Sequence, residues 1–276
     1  MPELPEVQTI INTLNNSGLL QQRIIDVKIY KVKLLKNSTP LIFKKFLLNE
    51  KIINIERKGK FLIFHLTHQK TLVVHLRMEG KLFYETIKSF VPKAHLRIEF
   101  FLNNKHVLRY YDSRIFGTFH IYKEHQHLKA HQLTKLALDP LESTFTGKYL
   151  SSKISNSNQA IKTAILDQTN VSGIGNIYAD EILFLSKINP TRKASTLTIK
   201  DFNNIAKYAK KILLKSIKYG GTTIASYKSD ANHTGQFQKM LLVHTKKGKP
   251  CVCCGSKIIK IKVNGRGTYY CPRCQK

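Results

Sequence analysis

Residues 251–274 read CVCCGSKIIKIKVNGRGTYYCPRC and contain all five cysteines of the chain. Cys251 and Cys254 form one C-x2-C pair, Cys271 and Cys274 form another, and sixteen residues separate the pairs. With this spacing two short knuckles can bring four thiolates to a tetrahedral zinc ion. Disulfide bonds are the alternative, but a secreted, disulfide-stapled fold does not gather its cysteines at one end. We therefore predict one structural Zn²⁺ per chain, with Cys253 outside the site.

The segment between the two cysteine pairs has the pattern of a β-hairpin. Residues 258–270 alternate apolar and polar side chains, and Asn264-Gly265 is a turn signal. Arg266 therefore lies at the hairpin tip. An arginine in such a position is often only solvated, but on a rigid zinc module it can also clamp a phosphate with two parallel hydrogen bonds. Both interpretations remain open at this point.

The charge of the chain points to a polyanionic partner. Its 276 residues include 46 Lys and Arg against 17 Asp and Glu, a formal charge of +29, and such a field attracts nucleic acid. A membrane surface would also attract it, yet we find no apolar run long enough to span a bilayer and no helix with its lysines on one face. The start, Met-Pro-Glu, lacks the regions of a signal peptide. We expect a soluble, cytosolic protein.

Hydrophobic periodicity divides the chain into a β-rich part and a helical part. Strand-like runs separated by turn residues cover 23–30, 52–56, 61–66, 71–76, 82–85, 96–102, 107–111 and 117–122, which predicts a sandwich or barrel. Helical spacing covers 7–14, 128–138, 148–154, 159–168, 176–187 and a segment from Thr198, where Asp201 completes a capping box. The predicted domains are 1–130, 131–221 and 237–276, joined by a polar loop over 222–236.

The first six residues, Met1-Pro2-Glu3-Leu4-Pro5-Glu6, can carry chemistry. If Met1 is removed, Pro2 becomes a terminal amine with a pKa of about 8, so part of it is neutral near pH 7 and can attack carbon electrophiles. Glu3 beside it can move protons. Alternatively, Pro5 and Glu6 only begin a helix, although that explanation leaves Pro2 and Glu3 without a role.

A second candidate phosphate site lies in the middle of the chain. Ile174-Gly175-Asn176 precedes a predicted helix and offers backbone N–H groups at its start. Glycines before helices are common in ordinary turns. The interpretation as a phosphate site gains weight from Lys162 on the preceding helix of the same helix-turn-helix unit.

Three separated motifs together resemble one family. They are residues 2–7 (PELPEV), residues 167–181 (DQTNVSGIGNIYADE) and residues 265–275 (GRGTYYCPRCQ). In this order they resemble the formamidopyrimidine-DNA glycosylases, bacterial enzymes that remove 8-oxoguanine and ring-opened purines from DNA. The resemblance runs from end to end. It implies a two-domain α+β fold: an N-terminal antiparallel β-sandwich with a flanking helix, and a C-terminal helical domain with a helix-two-turn-helix and a zinc-finger β-hairpin.

The resemblance also assigns roles to residues. Pro2 would attack C1′ of the damaged nucleotide, Glu3 would transfer protons at the sugar ring, and Glu6 would support the first helix and the base pocket. The phosphate-binding side chains would be Lys60, His75, Asn176 and Arg266, and we count Lys60 and Arg266 with Pro2 and Glu3 among the catalytic residues. Lys162, from its position on the helix before Asn176, is predicted to bind DNA as well. Without the family, a solvated hairpin lysine would be the ordinary interpretation of Lys60.

Two further motifs match loops that enter the duplex in this family. Met78 in residues 75–80 would fill the gap left by the flipped base, and in residues 112–117 Arg114 would face the widowed cytosine and Phe116 would wedge between bases. Judged without the family, Met78 and Phe116 flank strands and would be assigned to the core. Ile115 departs from the family pattern, because many relatives carry a basic residue there. The loop over 222–236 would close over the extruded base.

The implied activity is that of a bifunctional glycosylase and abasic-site lyase of base excision repair. It would form a Schiff base on the terminal proline and cleave the strand by β,δ-elimination. Its partner would be double-stranded DNA with oxidised purines or abasic sites, bound by a monomer in the cytoplasm at the nucleoid. Two alternatives remain: an endonuclease VIII-like glycosylase for oxidised pyrimidines, and a non-catalytic protein that binds damaged DNA.

Overall fold

The structure, a computed structural model, describes residues 1–89, 94–222 and 235–276. It divides into two compact units. Unit 1 comprises Met1–Thr134 and Gly220–Gly235, and unit 2 comprises Lys135–Tyr219 and Gln236–Lys276. Most of the predicted loop over 222–236 lies outside the described residues. The helical segment and the zinc hairpin, predicted as two domains, belong to one unit.

Unit 1 is built on a β-sandwich. Its strands are β1 (Ile24–Ile29), β2 (Ile52–Lys58), β3 (Phe61–Leu66), β4 (Thr71–His75), β5 (Lys81–Thr86), β6 (Leu96–Leu102), β7 (His106–Tyr111) and β8 (Thr118–Tyr122). Within the described residues they form two four-stranded antiparallel sheets, ordered β1-β6-β7-β5 and β2-β3-β4-β8. The predicted sandwich is confirmed, and each predicted strand has its counterpart.

Two helices close the core of the sandwich. Helix α1 (Leu4–Asn16) buries its apolar face, as the spacing predicts, and α2 (Pro40–Leu47) places Phe43 between the sheets. The Phe43 ring centroid lies 6.3 Å from that of Phe100 and 6.4 Å from that of Phe119. Helix α2 was not predicted. It begins at a proline after Thr39, whose side chain accepts from the Ile42 N–H.

The junction after the sandwich differs from the prediction of one helix over 128–138. A 3-10 turn (Gln126–Lys129) and a single-turn α3 (His131–Thr134) stand there instead. Beyond them the backbone bonds to distant groups, because the Ala137 N–H donates to the Gln168 carbonyl at 2.9 Å and the Leu138 N–H to the Tyr149 hydroxyl at 3.2 Å. These bonds replace the helical ones, so the helix prediction is wrong for this segment.

Unit 2 combines helices with the zinc hairpin. Its elements are α4 (Gly147–Ile154), α5 (Ile161–Leu166), α6 (Asn176–Leu185), α7 (Ile199–Lys218) and the hairpin strands β9 (Ile259–Val263) and β10 (Arg266–Tyr270). The predicted capping box of Thr198 and Asp201 begins α7. No helix in the described part of the chain is long and apolar enough to cross a membrane.

Candidate functional site

The chain terminus is fixed by the first turn of α1. Pro2 and Glu3 are both buried, and Glu3 is the N-cap of the helix. The Glu3 N–H donates to Glu6 Oε2 at 3.0 Å, while Glu6 Oε1 accepts from the N–H and hydroxyl of Thr222 at 2.8 and 3.0 Å. A Cβ at Gly221 would lie 2.9 Å from Glu6 Oε1. Glu6 therefore joins the start of α1 to Thr222.

Lys60 and His75 lie next to each other on the second sheet. Lys60 ends the β2–β3 turn, and β3 pairs Phe61 with His75 at the end of β4. Both polar side chains are buried, and the Phe61 and His75 ring centroids are 4.5 Å apart. The Arg77 N–H donates to His75 Nδ1 at 2.9 Å, so Nε2 carries the proton. Burial, with the charges of Arg77 and Lys60, lowers the pKa of His75 to about 3. His75 is thus a neutral donor.

Met78, Arg114 and Phe116 form one exposed cluster. Arg114 Nη1 donates to Met78 Sδ at 3.0 Å, and its guanidinium lies over the Phe116 ring, 4.7 Å from the centroid. Met78 is 40% exposed and Phe116 45%, so assignment of these two side chains to the core is wrong. Ile115 between them packs against the core of unit 1. Tyr110 and Asp112, buried behind this cluster, lie in a predicted strand and in the motif over 112–117, but the sequence alone assigned neither of them a role.

Lys162 occupies the interior of unit 2. Its side chain has no exposed surface, and its ammonium donates to Asp180 Oδ1 at 2.7 Å, Thr268 Oγ1 at 2.9 Å and the Gly267 carbonyl at 3.1 Å. The expected direct contact with DNA is incompatible with this burial. A lysine is buried only when it is paired, and here Asp180 pairs it. Lys162 instead holds the residues that follow Arg266.

Asn176 and Arg266 meet at the same turn. Asn176 begins α6, and its side-chain N–H donates to the Gly267 carbonyl at 2.9 Å. Arg266 is exposed at the hairpin tip, where Asn264 and Gly265 adopt left-handed backbone angles, with φ of 45° and 74°. The structure therefore brings Lys162, Asn176 and Arg266 together, with the first two supporting the turn that presents the third.

Two acidic residues of α6 hold the zinc module against the helices. Asp180 Oδ2 lies 2.7 Å from His244 Nδ1 and accepts from the Tyr269 N–H at 3.2 Å. Glu181, fully buried, accepts three successive backbone N–H groups from residues 242–244 at 2.8 to 2.9 Å. Burial raises the pKa of Glu181, and these hydrogen bonds oppose the rise. The sequence motif contained both acids, but their buried roles depend on distant partners.

The four predicted cysteines form a metal centre. Among the described residues, the sulfurs of Cys251, Cys254, Cys271 and Cys274 all lie within 4.8 Å of one another. Two sulfur–sulfur distances are 3.8 Å (Cys251–Cys274) and 3.5 Å (Cys254–Cys271), against about 3.8 Å for a tetrahedral zinc with 2.3 Å bonds. Cys253 is exposed and outside the cluster. The site fits one structural zinc ion with no open position.

These features define a class of protein. An enzyme that acts on a base inside duplex DNA must take that base out of the stack, so it needs wedge side chains, phosphate-binding groups and a reactive residue. The two units contain candidates for each, which is the composition of a base-flipping DNA glycosylase. The chain belongs to the formamidopyrimidine-DNA glycosylase family: it matches that family's N-terminal domain over residues 1–119, its H2TH domain over 136–228 and the zinc finger found in FPG and IleRS over 248–276.

Similar proteins cover the chain from end to end. It is 54% identical to the formamidopyrimidine-DNA glycosylase of Ureaplasma parvum over 100% of both chains. It is 49% identical to that of Mycoplasma genitalium over 100% of this chain and 96% of the relative. A crystal structure of the wild-type Lactococcus lactis Fpg with DNA containing N7-benzyl-Fapy-dG matches with a TM-score of 0.93 at 36% identity over 100% of both chains. A complex of the Lactococcus lactis protein with abasic-site DNA matches equally well over 99% of both chains.

Proposed function

We propose that the chain excises oxidised purines, 8-oxoguanine and formamidopyrimidines, from duplex DNA and then cleaves the strand at the abasic site. Family membership over the full chain supports this activity, as does the similar Lactococcus lactis protein, whose complexes contain Fapy-dG or abasic-site DNA. The observation that carries the proposal is that Pro2 and Glu3 are both buried at the start of α1, where Glu3 is the N-cap and is fixed by Glu6.

Pro2 is the proposed nucleophile. After removal of Met1, its nitrogen lone pair forms a bond to C1′ while the bond from C1′ to the damaged base breaks, and the N–H proton of the amine passes to the leaving base. Glu3 protonates the sugar-ring oxygen as the ring opens to an iminium ion. The iminium acidifies the neighbouring C–H groups, so that the 3′ and then the 5′ phosphate leave by elimination.

The other site residues bind and open the DNA. Lys60 and Arg266 carry positive charge to phosphates, while His75 and Asn176 offer neutral N–H donors. Phosphate contacts of this kind position the protein on the duplex, whereas wedge side chains kink the duplex and fill the space of the missing base. The zinc ion, held by the four cysteines, keeps the hairpin of Arg266 folded.

Borohydride trapping tests the nucleophile. Reduction of the iminium should link the protein to a duplex with one 8-oxoguanine opposite cytosine, and peptide mapping should place the link on a fragment that begins at Pro2. Pro2→Gly should keep part of the trapping, because glycine also leaves a terminal amine. A variant that retains Met1 should lose it. Lys60 is the competing nucleophile, so a link found on Lys60, or undiminished trapping with Met1 retained, would overturn the assignment.

The proposed cellular setting follows from the substrate. We infer that one chain acts on one lesion, as a monomer, in the cytoplasm at the nucleoid. The formal charge of +29 supports a polyanionic partner of this kind. Fractionation that found the protein away from chromosomal DNA, or gel filtration that found it only as a dimer, would contradict this setting.

A further inference from the structure

The loop that carries Arg114 and Phe116 is organised by one carboxylate. Asp112, 1% exposed, follows β7 and accepts five hydrogen bonds within the described part of the chain. The donors are the backbone N–H groups of Arg114 and Ile115 at 3.0 Å, those of Phe116 and Gly117 at 2.9 Å, and the hydroxyl of Tyr110 at 3.0 Å. Four successive N–H groups thus converge on a single side chain, and hydrogen bonds to a charged acceptor are the strong ones.

The backbone of this loop needs such support. Ile115 has a φ of 56°, a left-handed conformation that is unfavourable for a β-branched residue. Strained residues persist only where their surroundings over-determine them, and such strain clusters at functional sites. Here the carboxylate of Asp112 on one side and the core contact of Ile115 on the other fix the loop. The exposed side chains of Arg114 and Phe116 therefore project from a rigid base.

The Tyr110 hydroxyl links this loop to the turn that carries Met78. Tyr110 is fully buried. A Cβ built on Gly80 would lie 2.6 Å from this hydroxyl and 2.5 Å from the Leu76 carbonyl oxygen, and a Cβ on Gly117 would overlap the hydroxyl. Both turns therefore need glycine because the Tyr110 hydroxyl occupies the space between them. Burial, together with the nearby Asp112, raises the pKa of Tyr110, so the hydroxyl stays protonated and donates.

We propose that Tyr110 and Asp112 are positioning residues for strand opening, because they hold the turn of Met78 and the loop of Arg114 and Phe116 as one preassembled wedge. This inference rests on the proposed function. Neither residue contacts the reacting atoms. Both act through the exposed cluster, which is already joined by the contacts of Arg114 with Met78 and Phe116. Preorganisation of this kind avoids the cost of ordering the wedge when the DNA binds.

Tyr110→Phe is the main test, because it removes only the hydroxyl. Asp112→Asn is the second variant, in which one acceptor oxygen becomes an NH2 group that cannot accept. Tyr84→Phe is the matched control: it removes a hydroxyl of the same sheet that accepts from Asn104 at 2.7 Å and donates to the Gly18 carbonyl at 3.4 Å, neither of which belongs to a wedge turn. Each variant is first checked for thermal unfolding with zinc bound. Glu50→Gln serves as a control for loss of a buried acid in unit 1.

Two measurements follow. Wedge insertion is measured by the fluorescence of 2-aminopurine next to a tetrahydrofuran abasic analogue, which reports unstacking on binding without any chemistry. Excision of 8-oxoguanine opposite cytosine is measured in single turnovers. We expect Tyr110→Phe and Asp112→Asn to slow insertion and excision by about tenfold to a hundredfold, the loss typical of a displaced positioning group. Tyr84→Phe and Glu50→Gln should leave insertion at the wild-type rate.

A double-mutant cycle identifies the route of the effect. If Tyr110 acts through the wedge, adding Tyr110→Phe to Phe116→Ala should slow insertion by less than about twofold, because the wedge is already lost. Independent, additive losses would overturn the proposal, as would wild-type insertion by a folded Tyr110→Phe variant. Failure of the proposed function has a different signature: the wild-type protein would insert its wedge at the abasic analogue but release no base.

Discussion

Lys162→Met is the substitution for which the structure and the sequence predict different outcomes. Methionine has nearly the length of lysine but no donor, so the variant leaves the carboxylate of Asp180 without its ammonium partner at 2.7 Å. It also removes the hydrogen bonds to Thr268 and to the Gly267 carbonyl, at 2.9 and 3.1 Å. Both side chains of the ion pair have no exposed surface. The structure therefore predicts a loss of stability, whereas a phosphate-binding lysine would predict a loss of DNA affinity alone.

The magnitude follows from burial. Removing one partner of a buried ion pair costs about 3–5 kcal/mol, because the other charge stays in the interior uncompensated. We expect the lower end, about 3 kcal/mol, since Asp180 keeps its contacts with His244 and the Tyr269 N–H. For a chain of this size that loss lowers the melting temperature by roughly 6–12 °C. An exposed lysine contributes at most about 1 kcal/mol.

Two assays separate the alternatives. Urea unfolding of the zinc-loaded protein, followed by far-UV circular dichroism, gives the loss of stability, with Lys207→Met on the exposed face of α7 as the charge-matched control. Binding to duplex DNA at several salt concentrations gives the number of phosphate contacts, because each contact contributes about 0.9 to the slope of log K against log salt. The structural role of Lys162 would be refuted if Lys162→Met kept its stability but lost one phosphate contact. That loss should then add to the loss measured for Arg266→Ala.

Three other outcomes are expected. Removal of zinc by a chelator should unfold the hairpin module and abolish DNA binding, whereas the Cys253→Ser variant should bind metal and DNA like the wild type. Zinc-free protein that binds DNA with full affinity would contradict the structural role of the zinc. Phe116→Ala should slow excision from duplex at least about tenfold while costing under about 1 kcal/mol of stability, because the ring is 45% exposed; a collapse of the melting temperature would instead place Phe116 in the core. His75 has a pKa of about 3 when folded and about 6.5 unfolded, so the unfolded state binds more protons below pH 6.5 and stability is lost as pH falls towards 3. That loss should be about 1.3 kcal/mol between pH 7 and pH 5.5 and absent from His75→Gln, and an NMR titration of His75 near 6.5 would contradict it.

Local sequence patterns predicted the sandwich because each of its strands has a recognisable pattern of its own. Alternation with a period of two and turn residues between the runs are local properties, and the eight predicted strands match β1 to β8 within a few residues. Helix α2 was not predicted because its apolar residues do not lie on one face: Leu41 and Ile42 are exposed, at 77% and 55%. The prediction of one helix over 128–138 was wrong because the backbone N–H groups of Ala137 and Leu138 donate to groups distant in sequence and not to the preceding turn.

The site divides in the same way. The zinc ligands could be predicted from spacing alone, and the exposure of Arg266 followed from the hairpin. The burial of Lys162 could not, because its partners Asp180 and Thr268 lie 18 and 106 residues away along the chain. The role of Asp112 could not be predicted either, because its carboxylate accepts the backbone N–H groups of residues 114–117 only when the loop has folded around it. A charged residue can be buried only with partners that neutralise it, so its burial cannot be predicted until those partners are known.

Three of the groups of candidate site residues rest on buried charged side chains. Glu6 holds the helix start beside Pro2, Asp112 holds the loop of Arg114 and Phe116, and Lys162 with Asp180 holds the turn of Arg266. Charged hydrogen bonds in a dry interior are stronger than neutral ones, and groups fixed before DNA arrives need no reorganisation when it binds. It follows that neutral replacements of the buried charges should lower the rate of strand opening or chemistry even where the exposed residues are intact. Replacements of the exposed residues should lower function and leave the fold stable, so the two classes of variant can be told apart by measuring stability and activity together.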